Sequence, residues 1–317
     1  MPNLKDLPRR FARRLLSFWR EAPAAKKRFS RRSARHLSRF LSSGSRLVFN
    51  PPDGPELSVI IVLYNRAELT LACLEALNKS TFQNFEIIAV DNASIDRTSE
   101  LFSSVAGVRY ARNDTDLHFL RGSNQGASMA RGEYLLFLNN DTVPAPDALE
   151  KAMNTIRSDS EIGALGAKLI LPNGRLQEAG SIVWQDGTCL GYGRGDRPDR
   201  PQYMFRRDVD YCSGAFLVIP KVLFKRLGGF DLDFVPAYYE ETDFCLRLQS
   251  AGYRVVYEPR VEVKHFEFAS SSASEEALSM QRERQQILCR KHAAELKKHF
   301  PACPENVLKA RFSARGN

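Results

Sequence analysis

Residues 134–144, YLLFLNNDTVP, decide the fold. Tyr134 to Leu138 are an unbroken apolar and aromatic run that ends in Asn139, Asn140 and Asp141. A run this short with no polar interruption is the pattern of a strand buried on both faces of an α/β sheet. Pro144 and Pro146 then stop the strand and open a helix. Open α/β sheets bind ligands at the carboxyl ends of their strands, so the run carries one acid and two amides to such an edge. A carboxylate there suits a divalent cation bridging phosphate oxygens. Asn and Asp also favour plain turns, and the tripeptide alone does not separate the two readings.

Working outward, LSVIIVLY from Leu57 is a second buried-type strand that breaks at Asn65-Arg66. Leu69, Ala72, Cys73, Ala76 and Leu77 then form a helical stripe. FEIIAVDNAS is the next strand and ends in Asp91, Asn92 and Ser94. A helix around Arg97 to Val105, a short strand in VRYAR, and a helix led in by Ser123 to Ala127 complete this half. Strands alternating with helices at this spacing predict a mostly parallel, doubly wound sheet with helices on both faces. Past Ile162 the pattern changes. LGAKLILPNGRL and SIVWQDG read as strands joined by an Asn173-Gly174 hairpin turn. A Gly-, Pro- and Arg-rich loop over 191–210 precedes the strand-like YCSGAFLVIP and the helix VLFKRL, which Gly228-Gly229 caps. Glu240, Glu241 and Asp243 open a further helix, and His265 follows the extended VEVK. Beyond Ser274 the pattern is helical, with Leu278, Ile287, Leu288, Leu296 and Phe300 as contacts to the body. The expected divisions are a basic tail over 1–54, the α/β domain over 55–268 and a helical extension over 269–317.

The charge is uneven. Residues 1–50 hold 14 Lys or Arg against Asp6 and Glu21, or +12, which leaves 32 basic against 35 acidic residues in the remainder. Phe11, Leu15, Phe18 and Trp19 recur at helical spacing among Arg9, Arg10, Arg13, Arg14 and Arg20. Such a basic amphipathic helix can lie on an anionic membrane; a solvated tail, a helix docked on a partner and a transit peptide are the alternatives. Nothing resembles a nucleic-acid reading motif. No apolar run reaches the ~18 residues that cross a bilayer. The cysteines show no C-x-x-C pair or metal-like spacing, which suits reduced thiols in the cytoplasm, with peripheral attachment to the inner face of the plasma membrane if the tail binds lipid. Cys73 and Cys245 fall in apolar helical patterns as core fillers.

Three acid clusters mark strand or helix ends: Asp91, Asp141 and Glu240-Glu241-Asp243. No G-x-x-x-x-G-K-[ST] loop is present, and VLYNRAEL stands where a dinucleotide-binding glycine loop would follow the first strand. Both facts speak against an ATPase and a dehydrogenase. The Gly191, Gly193, Gly195 spacing has no strand–helix context and reads as a flexible loop. A nucleotide site without glycine loops needs a metal and carboxylates to manage phosphates. The matching chemistry is transfer from a nucleotide-activated group, with a carboxylate deprotonating the acceptor.

Five ordered motifs resemble the inverting family-2 glycosyltransferases of the GT-A fold. They are Ser58–Val62 with Tyr64-Asn65-Arg66, Asp91-Asn92-Ala93-Ser94 with Asp96, Leu138–Asp141, Gly228–Asp231, and Tyr238–Asp243. Arg247, Gly252-Tyr253 and His265 continue the pattern, and the likeness covers roughly residues 57–268. Gln177–Gly180 and Tyr211–Gly214 further resemble rhamnosyltransferase-like members that build bacterial surface polysaccharides. Asn139 replaces the first Asp of the family's D-x-D metal motif, and Glu241 replaces the Asp of its Glu-Asp pair.

The resemblance implies a sugar moved from a UDP-, dTDP- or GDP-sugar to a glycan or lipid-pyrophosphate-linked acceptor. Tyr64, Asn65, Arg66, Asp91, Ser94, Asn124, Asn139 and Asn140 would hold the nucleotide sugar, with Asp91 on the base. Asp141 and His265 would bind Mn²⁺ or Mg²⁺. Glu241 would be the base, with Glu240 and Asp243 as the other carboxylates open to that role. Trp184 and Tyr192 could stack on an acceptor sugar, with core packing or exposure as the alternatives, and the arginines of 194–207 suit either an acidic or pyrophosphate-linked acceptor or a solvated loop. A sugar-nucleotidyltransferase would share the sheet but should carry a Gly-rich loop where Leu63-Tyr64-Asn65 stands. A catalytically silent sugar- or nucleotide-binding module would not need the Asp91, Asp141, Glu241 and His265 set. Pocket shape, not a motif, chooses the sugar.

Overall fold

The computed structural model describes residues 27–267 and 275–312. The amphipathic segment around Phe11 to Trp19 lies outside the described residues. Helix α1 (27–42) leads to the short strand β1 (Leu47–Val48). The first half of the sheet follows as β2 (Leu57–Leu63), α2 (Ala67–Asn78), β3 (Phe85–Asn92), α3 (Thr98–Ser103), β4 (Val105–Ala106), β5 (Arg109–Asn113), α4 (His118–Met129) and β6 (Tyr134–Leu138). Next come β7 (Thr142–Pro144), α5 (Ala148–Arg157), β8 (Ile162–Ile170), β9 (Leu176–Ala179), β10 (Ser181–Val183), β11 (Cys189–Gly191), β12 (Arg207–Asp208) and β13 (Phe216–Pro220). Helices α6 (Lys221–Arg226) and α7 (Glu240–Ser250), strand β14 (Arg254–His265), and helices α8 (Glu275–Lys291), α9 (Ala293–Leu296) and α10 (Val307–Phe312) complete the chain.

The main sheet has the order β12-β14-β8-β13-β6-β2-β3-β5. Strands β5, β3, β2 and β6 run parallel, as do β8 and β14, while β13 sits antiparallel between β6 and β8. Alternation along the strands splits the core into two layers, as a period of two requires. Leu136, Leu138, Val59 and Ile61 face Leu71, Leu74, Leu149 and Met153. Leu135, Phe137, Ile60 and Val90 face Leu120, Phe224, Phe230 and Phe244. Strand β6 is therefore buried on both faces, and the fold is mixed α/β with helices on either side.

Three local expectations change. The Asn173-Gly174 turn joins β8 to β9, with Gly174 at φ 76°, whereas SIV of β10 pairs with β11 in a separate small sheet. Helix α4 already begins at His118, so Ser123 to Ala127 lie inside it. Its glycines hide a helical pattern but allow close approach: a Cβ at Gly126 would meet Ile60 Cγ2 at 2.5 Å. The 191–210 segment is packed, since Tyr192 and Tyr203 are buried beside Trp184 and Tyr257. Trp184 and Tyr192 are core residues, so of the readings open to them the structure shows packing and not sugar stacking. The loop's arginines are likewise engaged within the protein: Arg194 with Glu267, Arg197 with Asp199, Arg200 with Asp196 and Arg206 with Glu258.

Helix α1 packs onto the body through Leu37 and Phe40, and Phe49 joins the same core. At the other end of the chain, α8 rests on the body, where Lys291 pairs with Asp231 and Asp233. Among the described residues no helix is long and apolar enough to cross a membrane.

Candidate active site

Register brings the strand ends together. Leu63 pairs with Asp91, Ile60 with Phe137, and Phe216 with Leu138. The carboxyl ends of β2, β3 and β6 thus meet the amino end of β13 at one edge. Beyond Leu138 the chain turns, with Thr142 N–H donating to Asn139 O at 3.2 Å, and β7 then pairs with β14 so that Thr142 faces His265. That pairing sets His265 against Asp141. A cavity of about 410 Å³ opens there, lined by Asn139, Asp141, Gly214, Glu240, Glu241 and His265 among others.

Asp141 and His265 are both buried, and Nε2 of His265 lies 3.1 Å from Oδ1 of Asp141. The ring's other nitrogen, Nδ1, is 2.9 Å from Oε1 of Gln177. With Gln177 accepting from Nδ1–H, the neutral ring points its Nε2 lone pair at a carboxylate oxygen. Two acceptors face one another, and a proton or a cation between them resolves the contact. Burial opposes the charged ring, but the Asp141 charge and hydrogen bond outweigh it and raise the His265 pKa. Among the described residues no group of three or more His, Cys, Asp and Glu side chains is arranged for a metal. The pair still fits Mg²⁺ or Mn²⁺, because such ions commonly take one or two protein ligands and complete their shell with phosphates and water.

Elsewhere in the cavity lining, Tyr238 and Tyr239 take left-handed backbone (φ 77° and 70°) before α7. Non-glycine residues held there are strained, and such strain concentrates at functional sites. It aims Glu240 and Glu241, in the first turn of α7, into the cavity. Each has a buried Oε2 without a hydrogen-bond partner among the described residues. Burial raises both pKa values. The Glu241 charge pushes Glu240 further up, while the backbone N–H groups of Gly214 and Thr242 partly restrain Glu241. Asp243 does not line this cavity: it pairs with Arg247 at 2.7 Å and His292 at 2.8 Å. Arg247 also donates to Leu227 O and Gly229 O, and the Asn124 amide spans the N–H and C=O of Phe230. Asp243 and Asn124 therefore fix the Gly228–Phe230 turn.

Asp91, Ser94, Asn65 and Asn140 form a second group. Asp91 is fully buried and accepts from Ser94 N–H, Tyr110 OH and Arg112. Burial pushes its pKa up, but these donors outweigh that and hold it below the usual carboxylate range. The Ser94 hydroxyl accepts from Asn65 N–H at 2.7 Å, and the Asn140 amide donates to Thr70 Oγ1 at 3.0 Å. Asn65 and Arg66 are both left-handed, at φ 60° and 64°. Tyr64 is exposed beside them. Gln177 and Glu178 were not assigned roles from sequence. Glu178, pushed up to about 7 by burial, accepts from Ser213 N–H, next to the Gly214 that faces Glu241.

The glycosyl transferase family 2 model matches residues 58–224, more than half of the chain. The chain belongs to glycosyl transferase family 2. It is 30% identical over 230 residues to the O-antigen biosynthesis protein RfbC of Myxococcus xanthus, across 69% of this chain and 18% of that protein. The amylovoran biosynthesis glycosyltransferase AmsB of Erwinia amylovora is 25% identical, across 63% of this chain and 65% of the relative. The chain spans less than two thirds of the length of either relative. The mannosyltransferase PcManGT of Pyrobaculum calidifontis, solved with GDP-Man and Mn²⁺, superposes with a TM-score of 0.54 at 19% identity, covering 93% of this chain and 79% of that one. That likeness establishes the GT-A fold.

Proposed function

We propose that this family-2 protein is a glycosyltransferase that acts with inversion, moving one sugar from a nucleotide diphosphate donor to a glycan or lipid-linked acceptor in the synthesis of a surface polysaccharide. The observation that carries the reading is the cavity itself, whose lining brings together the Glu241 carboxylate, with its unpartnered Oε2, and the Asp141–His265 pair. Inversion needs a base on the acceptor side and charge compensation on the leaving-group side. Glu241 would take the proton of the acceptor hydroxyl as the new bond forms. Glu240, held more firmly protonated, would donate a hydrogen bond within the same wall. Asp141 and His265 would hold a divalent metal, which when bound supplies charge compensation for the leaving diphosphate. Asp91, Ser94, Asn65, Arg66 and Asn140 would shape the nucleotide end, with Asp91 kept ionised by its Ser94, Tyr110 and Arg112 partners. The names of RfbC and AmsB support polysaccharide synthesis, and PcManGT with GDP-Man supports a nucleotide-sugar donor.

A panel of UDP-, dTDP- and GDP-sugars, each with Mn²⁺ or Mg²⁺, tests the reading by release of nucleoside diphosphate. One donor should be hydrolysed well above the rest, and the rate should vanish in Asp141→Ala. No turnover of any donor, with or without candidate acceptors, would leave a silent binding module instead.

A further inference from the structure

Helix α1 has two unlike sides. Ser33, Leu37 and Phe40 face the body and are buried. Arg28, Arg32, Arg35 and Arg39 are exposed and recur at i, i+4, i+7 and i+11, which places them in one stripe opposite the docked seam. At 1.5 Å per residue the stripe is about 16 Å long. Lys27 and Arg31 flank it, both exposed, and residues 27–46 contain no Asp or Glu. The helix is tied down on several sides: His36 to Glu75 at 2.7 Å, Arg97 to Ser38 at 3.3 Å, and Phe29 stacked on Phe266 with ring centroids 3.6 Å apart. Phe266 lies between His265 and the cavity-lining Glu267. The stripe is thus a fixed feature at the rim of the site, not charge on a free tail.

Four like charges aligned and exposed, with no acid of the helix to neutralise them, fit an extended anionic surface. We propose that this stripe docks the protein on an anionic phospholipid bilayer. The helix's aromatic residues point away from the stripe, Phe29 onto Phe266 and Phe40 into the core, so nothing is offered for stacking on nucleic-acid bases. Residues 51–317 are slightly acidic, with 32 basic against 35 acidic side chains, and would repel a polyanion that wrapped around them. A planar headgroup layer meets the helix alone. Each basic residue near such a surface is worth about fivefold in partitioning.

The test uses the full chain with vesicles of phosphatidylglycerol and phosphatidylcholine in equal parts, or of phosphatidylcholine alone, and reads the bound fraction by sedimentation. Wild type should bind the anionic vesicles and be released by salt. Joint Arg28→Gln, Arg32→Gln, Arg35→Gln and Arg39→Gln should lower partitioning by about a hundredfold or more, while replacement of the same four by Lys should retain it. The basic residues of 1–26 are common to all three proteins, so the difference reads the stripe. Equal binding by the Gln variant overturns the proposal, as does equal binding to neutral vesicles or tighter binding of a DNA duplex. Should the Gln variant not fold, salt-insensitive binding of wild type would still overturn it. Sedimentation is blind to sugar transfer, so its result and the donor panel's stand or fall separately.

Discussion

His265 presents Nε2 to Asp141 Oδ1 at 3.1 Å while Gln177 holds its Nδ1 at 2.9 Å. The geometry orders three substitutions. Asp141→Ala should abolish turnover and His265→Ala should weaken it strongly. Gln177→Ala leaves the ring in place but unsteered, and loss of such an outer partner typically costs 10–100-fold in metal affinity or activity. Activity should disappear in EDTA and return with Mn²⁺ or Mg²⁺. Titrating the metal against each variant checks the order, and full activity of all three in EDTA would sink the metal assignment.

Glu258 is buried and shared by Arg206, Arg260 and Thr155. Burial by itself would raise its pKa, but these donors hold it down to about 2. A carboxylate with a depressed pKa stabilises the fold above its unfolded value, near 4.5, and that contribution is lost as pH falls toward 2. Both arginines are partly exposed, so solvent screening reduces the gain. Glu258→Gln should destabilise by about 1–3 kcal/mol at pH 7 and by little near pH 2. Melting curves across that range check it, and an equal loss at both ends would mean that packing, not charge, is responsible.

Glu178 should behave in the opposite sense. Its pKa is raised to about 7, so the native state holds a proton that the unfolded chain releases above about 4.5. Stability is therefore lost as pH rises from about 4.5 to about 7. Glu178→Gln removes this dependence and should melt higher than wild type at pH 8, but not at pH 4.5. A melting temperature below wild type at both pH values would show that the two hydrogen bonds to Ser181 and Ser213 outweigh the charge.

How far the sequence could be read follows from the range of each interaction. Strand β6 is legible because five adjacent residues carry its signal, and Asp141 follows at its end. The partner of His265 is not legible, because Gln177 is 88 residues away and only the β8–β9 hairpin beside β14 brings it there. Asp243 and Glu241 are two residues apart in one acidic run, yet α7 turns one toward Arg247 and the other toward the cavity. Which acid faces which way depends on where the helix starts, and the two left-handed tyrosines fix that start. Trp184 and Tyr192 stay ambiguous in the sequence for a related reason: whether an aromatic beside a glycine-rich loop is exposed or packed depends on Tyr203 and Tyr257, which close over it only in the fold.

The assignment of the base rests on the same difference between neighbouring acids. Glu241 has a buried, unpartnered Oε2 in the cavity, whereas both oxygens of Asp243 are engaged by Arg247 and His292. Glu241→Gln keeps shape and hydrogen bonding but removes basicity, and general-base catalysis typically contributes 10²–10⁴-fold. The rate constant should fall on that order with donor affinity nearly unchanged. Glu241→Asp should retain substantial activity. Asp243→Asn should instead lower thermal stability, since it weakens the contacts that hold Arg247 and the Gly228–Phe230 turn. Burial raises the Glu241 pKa, so the acid limb of the rate profile should lie above the ordinary glutamate range, with activity rising as pH increases through it. A near-normal rate in Glu241→Gln combined with a dead Glu240→Gln would move the base one residue back along α7.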